Sequence, residues 1–196
     1  MTNKKTLIFV GNSGCGKGTQ ADLLEKKMKS LGGEILHIEI GSQFRNLLSM
    51  TTYTAQQAQN VAAQGLLQPE FLAVHLWADT LNLHYSPEKN LILDGTPRTL
   101  REASVLDAAL KFYGIENPIV IYTNVSREVA EERMLSRGRK DDTKEKIKNR
   151  LDWFKRDVMP VIDFFINNDY YQYIEIDGHR SIEEIHQDIL SRLDIE

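Results

Sequence analysis

Apolar residues along this chain fall into two alternating rhythms. Short, nearly continuous runs at residues 6–10, 35–38, 91–93, 119–123 and 173–176 have the composition of strands buried on both faces. Between them the spacing lengthens to three or four. Ala21, Leu24, Met28 and Leu31 form one helical stripe, Ala103, Leu106, Leu110 and Tyr113 a second, and Ile147, Leu151, Phe154, Val158, Ile162 and Phe165 a third. Ser181-Ile182-Glu183-Glu184 has the form of a capping box and opens a last helix with Ile182, Ile185, Ile189 and Leu193 on one face. Strands alternating with helices predict an α/β fold, a five-stranded parallel sheet with helices on both faces. The rhythm pauses between the second and third strands, where residues 41–85 are mainly helical and read as an inserted lobe; its polar piece 51–59 and the break at 65–69 read as helix junctions. The aromatic run 164–171 reads as a helix end packed into the core.

The rest of the composition narrows the class. A chain of 196 residues with 41% apolar and 27% charged positions is one ordinary globular domain. A formal charge of -4 supplies no general attraction to nucleic acid. No stretch is long and apolar enough for a signal peptide or a membrane span, so cytoplasmic residence away from membranes is expected. The single cysteine, Cys15, has no internal partner, and the five histidines show no metal spacing, so zinc is not expected.

The first run leads straight into Gly11-Asn12-Ser13-Gly14-Cys15-Gly16-Lys17-Gly18-Thr19-Gln20 and then into a helical pattern. Glycines at both ends of a G-x-x-x-x-G-K frame let the backbone curl until several amide N–H groups face one anion, with Lys17 reaching the outer phosphates. The following helix adds its positive N-terminal end. A nucleotide phosphate is the expected ligand. Cys15 within this loop reads as a small residue filling a tight turn, or as a thiol activated by Lys17.

Two further constellations bear charge. Leu91-Ile92-Leu93-Asp94-Gly95-Thr96-Pro97-Arg98 ends a strand in an acid, a glycine and an arginine, at the sheet edge where open parallel sheets bind ligands. Asp94 suits the water shell of magnesium, and Arg98 suits bidentate capture of a phosphate. Arg133, Arg137, Arg139 and Lys140, followed by Asp141, Asp142 and Arg150, form a basic cluster of the kind that steadies a migrating phosphoryl group, with the two acids orienting the arginines.

These motifs, in this order and spacing, resemble the adenylate kinase family across nearly the whole chain. The resemblance implies a core of residues 1–40, 68–135 and 144–196, a monophosphate-binding lobe at 41–67 and a short lid at 136–143. It implies an ATP site made by Gly14, Cys15, Gly16, Lys17, Gly18, Thr19 and Arg133, the last stacked on the donor adenine. Ile40, Gly41, Arg45, Gly95, Arg98 and Glu102 would hold a nucleoside monophosphate, by the family's default AMP, while Lys17, Arg98, Arg137, Arg139 and Arg150 would act on the transferring group. Magnesium would arrive with ATP, and a monomer is expected.

Besides the shortness of the lid, which lacks the four-cysteine zinc module and the usual few residues between its two arginines, departures from the family pattern fall in two places. Gly18 stands where other phosphate loops carry a metal-ligating hydroxyl, which leaves magnesium to nucleotide oxygens and water, with Asp94 acting through water. On the acceptor side the family's Ser-Thr-Gly-Asp is Glu39-Ile40-Gly41-Ser42, its aromatic residue before Pro-Arg is Thr96, and its adenine-reading amide is Glu102. An ionised Glu102 only accepts, which suits the donor-bearing edges of guanine or cytosine rather than adenine N1. Alternatively, Glu102 points to solvent. The altered acceptor residues also admit a nucleotide sensor on the same fold, and the phosphate loop alone admits a small-metabolite kinase.

Overall fold

The computed structural model describes residues 4–139 and 142–196. Lys140 and Asp141, both in the expected lid, lie outside the described residues. Five strands, β1 (Thr6–Gly11), β2 (Ile35–Glu39), β3 (Asn90–Asp94), β4 (Ile119–Asn124) and β5 (Gln172–Asp177), pair in parallel in the order β2-β3-β1-β4-β5. The expected strands are all present, each a residue or two longer.

Alternation along the strands divides the core. Ile8, Val10, Leu91, Leu93 and Val120 face one side, under α4 (Glu70–His84), α5 (Leu100–Phe112) and α8 (Met159–Ile166). Leu7, Phe9, Ile92, Ile121 and Ile176 face the other, under α1 (Lys17–Ser30) and α9 (Ile182–Arg192). Each such side chain, fully buried, contributes about 1.5–3 kcal/mol, so the apolar runs explain why this sheet is covered on both sides. A smaller cluster of Cys15, Ala130, Met134, Ile147 and Leu151 ties the phosphate loop to α6 (Arg127–Ser136) and α7 (Lys144–Trp153).

The insertion contains α2 (Ile40–Leu48) and α3 (Tyr53–Ala63). The polar piece 51–59 is mostly helix rather than a junction. Thr52 caps α3 by accepting from the Ala55 amide, and Ala55 and Ala58 form its buried face while the glutamines at 56, 57 and 59 stay outside. Small residues bury little area each, which is why the stretch reads as polar. Helix α4 belongs to the core, with Leu72, Ala73, Trp77 and Leu81 buried.

Two stripe residues fall outside. Leu31 is 57% exposed because α1 ends at Ser30, and Ile182 is 51% exposed at the first turn of α9. The capping box at Ser181 and Glu184 forms in full. The third stripe stays buried but is not one regular helix: a π-helical turn, Phe154–Val158, separates α7 from α8. No described helix is long and apolar enough to cross a membrane.

Candidate active site

The loop from β1 to α1 takes its shape from glycine. Gly14 has φ +86°, and a Cβ there would lie 2.4 Å from the Ala130 carbonyl oxygen, so only glycine fits both the backbone and the space. Gly16 is the N-cap of α1 and offers no capping side chain, leaving the first amides of that helix to an anion. Lys17 Nζ donates to the Asn12 carbonyl oxygen at 3.2 Å, folded across the mouth of the loop. Cys15 is 0% exposed, and burial pushes its thiol up against the opposing effect of Lys17. It packs the floor of the loop, and the activated-thiol reading does not hold.

β3 delivers the next group. Its pairing aligns Asp94 with Phe9 of β1 and with Glu39 of β2, at the carboxyl end of the sheet. Asp94 is buried, its Oδ1 has no hydrogen-bond partner among the described residues, and its Oδ2 lies 3.1 Å from where a Cβ on Gly18 would be. Burial pushes its carboxyl up, with Lys17 acting in the opposite direction. An acid with an unused oxygen beside a phosphate loop fits a hydrated divalent cation. Arg98 is held from two sides: Nε donates to the Gly95 carbonyl at 2.7 Å, and the guanidinium lies 5.7 Å from the centre of the Trp153 ring. Burial pulls its pKa below the usual arginine value.

The third group is built around Asp142, whose side chain is 1% exposed. Its two oxygens accept from Arg137 Nε at 2.6 Å and Nη2 at 3.0 Å, and Arg150 Nη1 donates to it at 2.7 Å. One buried carboxylate thus fixes two guanidinium groups, one from the C-cap of α6 and one from within α7. Arg133 Nη1 lies 3.5 Å from the Cys15 carbonyl oxygen, against the phosphate loop. Lys17, Arg98, Arg133, Arg137, Arg139 and Arg150 all line one cleft of about 1290 Å³ that also includes Gly16, Gly18, Thr19 and Asp94.

The same cleft extends to the insertion, where Gly41 and Arg45 line it. Arg45 Nη2 donates to Glu39 Oε1 at 2.8 Å. Ile40 is buried and, with Phe44, Leu67, Gln68, Gly95, Arg98 and Glu102, lines a narrow adjoining pocket. Glu102 is 2% exposed, so the solvent-facing alternative fails. Its Oε1 accepts from the Thr96 hydroxyl and its Oε2 from the Arg98 amide at 2.7 Å. Burial pushes its carboxyl up, and these two hydrogen bonds, Thr96 first, pull it back. The insertion also touches α7: Asn149 donates to the Gln64 carbonyl at 2.7 Å, and a Cβ on Gly65 would lie 2.8 Å from Lys146 Cα.

Three participants escape sequence reasoning. Trp153 stands three residues after Arg150, a helical neighbour that could have been read from spacing. Glu39 shows only as a departure from the family pattern. Gln68, anchored by Nε2 on the Ala58 carbonyl with Oε1 unpaired among the described residues, carries no signal in sequence. Elsewhere, Asp22, Glu25 and His37 bring potential ligand atoms within 4.8 Å of one another, a grouping that the histidine spacing did not disclose. The Glu25 oxygens there are engaged by Lys29 at 2.6 Å and by His37 at 2.7 Å.

Comparison with known proteins agrees with this geometry. The family model for adenylate kinase matches residues 9–170. An adenylate kinase of Corynebacterium urealyticum is 36% identical over 190 residues, covering 96% of this chain and 98% of that protein. Those of Leuconostoc mesenteroides and Prochlorococcus marinus (strain MIT 9301) are 35% and 33% identical, each covering 97% of this chain and 97% and 99% of their own length. A phosphate loop on a five-stranded parallel sheet, a cleft lined with arginines and this full-length kinship together make the chain a member of the adenylate kinase family, and a phosphotransferase of the nucleoside monophosphate kinase class.

Proposed function

We propose that the protein transfers the γ-phosphoryl group of ATP to a nucleoside monophosphate, reversibly, giving two diphosphates. The observation that carries this reading is the convergence of Lys17, Arg98, Arg137 and Arg150 on one cleft that continues into the pocket at Ile40 and Glu102. Phosphoryl transfer asks little covalent chemistry of a protein; it asks for in-line positioning and for positive charge around the moving group. The loop amides and Lys17 bind the donor phosphates, and Arg133 stacks on the donor adenine. Arg45 and Arg98 hold the acceptor phosphate, and Arg137, Arg139 and Arg150 close on the transferring group. Asp142 orients two of these arginines, and Asp141 is assigned the same task. Magnesium, when bound with ATP, neutralises charge on the phosphates, and Asp94 would hold its water shell. Closure of the lobe at 41–67 and the lid at 136–143 excludes water that would otherwise hydrolyse ATP.

The acceptor base is read by Glu102. With its carboxylate held inward as an acceptor, a base presenting adjacent N–H donors is preferred: guanine supplies them at N1 and N2, whereas adenine sets the acceptor N1 beside its N6 amino group. A coupled assay for diphosphate formation with ATP and AMP, GMP, CMP or UMP tests both levels. Formation of diphosphate from GMP at least as fast as from AMP is expected. A hundredfold preference for AMP removes the base assignment but keeps the kinase, and transfer to no monophosphate despite tight ATP binding makes the protein a nucleotide sensor.

A further inference from the structure

Glu39 stands at the N-cap of α2, where a short polar side chain would ordinarily accept from the first helical amides. It makes no such bond. Its carboxylate instead spans six residues to Arg45, and both groups pass over Gly41. A Cβ there would lie 3.3 Å from Arg45 Nη1 and 3.6 Å from Glu39 Oε1. All three residues line the main cleft. A cation assigned to the acceptor phosphate therefore already holds an anion from its own chain.

We propose that Glu39 is an internal occupant of the acceptor-phosphate site, and that it makes the site selective for phosphate dianions. The proposal rests on the reading that Arg45 takes the acceptor phosphate. The contact with Glu39 is a single hydrogen bond from one guanidinium nitrogen, between side chains that are 51% and 39% exposed, and pairs of that kind are weak. A phosphate dianion carries twice the charge and meets both arms of the guanidinium fork, so it displaces the carboxylate. A monoanion of the same shape, or a nucleoside without phosphate, gains too little to do so. Once displaced, Glu39 turns toward water from its half-exposed position.

Calorimetric titration of AMP, GMP, CMP and UMP into the full-length protein and into Glu39→Gln and Glu39→Ser tests this. Both variants should bind every monophosphate about two- to fivefold more tightly, by a similar factor for the four bases because the phosphate is shared. Affinity for adenosine and guanosine, which lack it, should stay the same. Below about pH 6, where the phosphate takes its second proton, the original protein should lose monophosphate affinity more steeply than Glu39→Gln does. Unchanged or weaker monophosphate binding in both variants overturns the proposal. So does a gain that persists in an Arg45→Ala background, since it would then act through the general field and not through Arg45. If Arg45→Ala alone leaves all four affinities unchanged, the acceptor assignment of Arg45 fails, a result distinct from failure of the Glu39 proposal alone.

Discussion

The Thr96 hydroxyl donates to Glu102 Oε1 inside the protein, beside the narrow pocket that Ile40 and Arg98 line. Two departures from the family pattern are thus partners: the residue in place of the family's aromatic side chain supplies a donor to the acid in place of its amide. Glu102→Gln restores a group that both donates and accepts, and should shift the ratio of kcat/KM for AMP over GMP upward by at least about tenfold, the scale of one buried hydrogen bond to a charged group. An unchanged ratio in the monophosphate panel would mean that Glu102 does not read the base.

The same carboxyl predicts a pH effect. Its native value lies above the ordinary 4.5. Falling pH therefore protonates it, and a protonated carboxyl can donate to adenine N1. Relative turnover of AMP over GMP should rise as the assay is acidified from neutrality, and this rise should vanish in Glu102→Gln. The linked stability has a definite sign: the native state holds this proton more tightly than the unfolded chain, so stability falls as pH rises from about 4.5 through the raised native value. Urea unfolding of both proteins across that range should show the variant losing less.

Lys17→Ala should cut turnover by about 10³-fold or more, the scale associated with single cations that stabilise a transferring phosphoryl group. Near-normal turnover in the coupled assay would contradict the loop assignment.

Asp142→Asn keeps the shape of the side chain but removes the charge that fixes Arg137 and Arg150. Misplacing catalytic groups by about 1 Å costs roughly 10²-fold, so kcat should fall by about that factor while ATP affinity changes far less. Stopped-flow turnover beside equilibrium ATP binding separates the two quantities.

Gly65→Ala puts a methyl group against Lys146 and demands a left-handed backbone, φ +67°, of an alanine. The insertion should then fail to seat on α7, and kcat/KM should fall for both substrates. Unfolding measured alongside should show a loss of only about 1–2 kcal/mol, the ordinary penalty for that backbone region.

Cys15 should resist alkylation in the native protein and react quickly in urea, because its sulfur is fully buried and burial disfavours the thiolate. Mass spectrometry after iodoacetamide treatment gives the answer directly.

Much of this molecule was legible from local pattern. The strands follow from apolar runs too short for helices, and the phosphate loop from glycine spacing before a lysine, because both are local and have one physical solution. Helix ends were less legible: Leu31 fits its stripe by period, yet the helix stops one residue earlier. The acceptor side was legible only as a set of departures. That Glu39 pairs with Arg45 across a helix N-terminus, and that Glu102 turns inward to Thr96, are matters of side-chain direction that no spacing discloses. Trp153 beneath Arg98 depends on a contact between α7 and the turn after β3, set by the packed core rather than by either segment.

The strand order has a consequence for how the chain is made. β1 lies between β3 and β4, so its neighbours end at Asp94 and Asn124, long after Gly11 has been synthesised. At about 5–20 residues per second that delay is on the order of 10 s. Until β3 is made the first strand, Thr-Leu-Ile-Phe-Val-Gly, has no partner on either edge, and until β4 follows one edge stays open. Nucleotide cannot shelter the nascent chain, because the loop, Asp94 and the arginines meet only when the centre of the sheet is filled. A ribosome-bound chain arrested near residue 100 should therefore be a client for chaperones, whereas one carried past α7 should already be able to retain ATP.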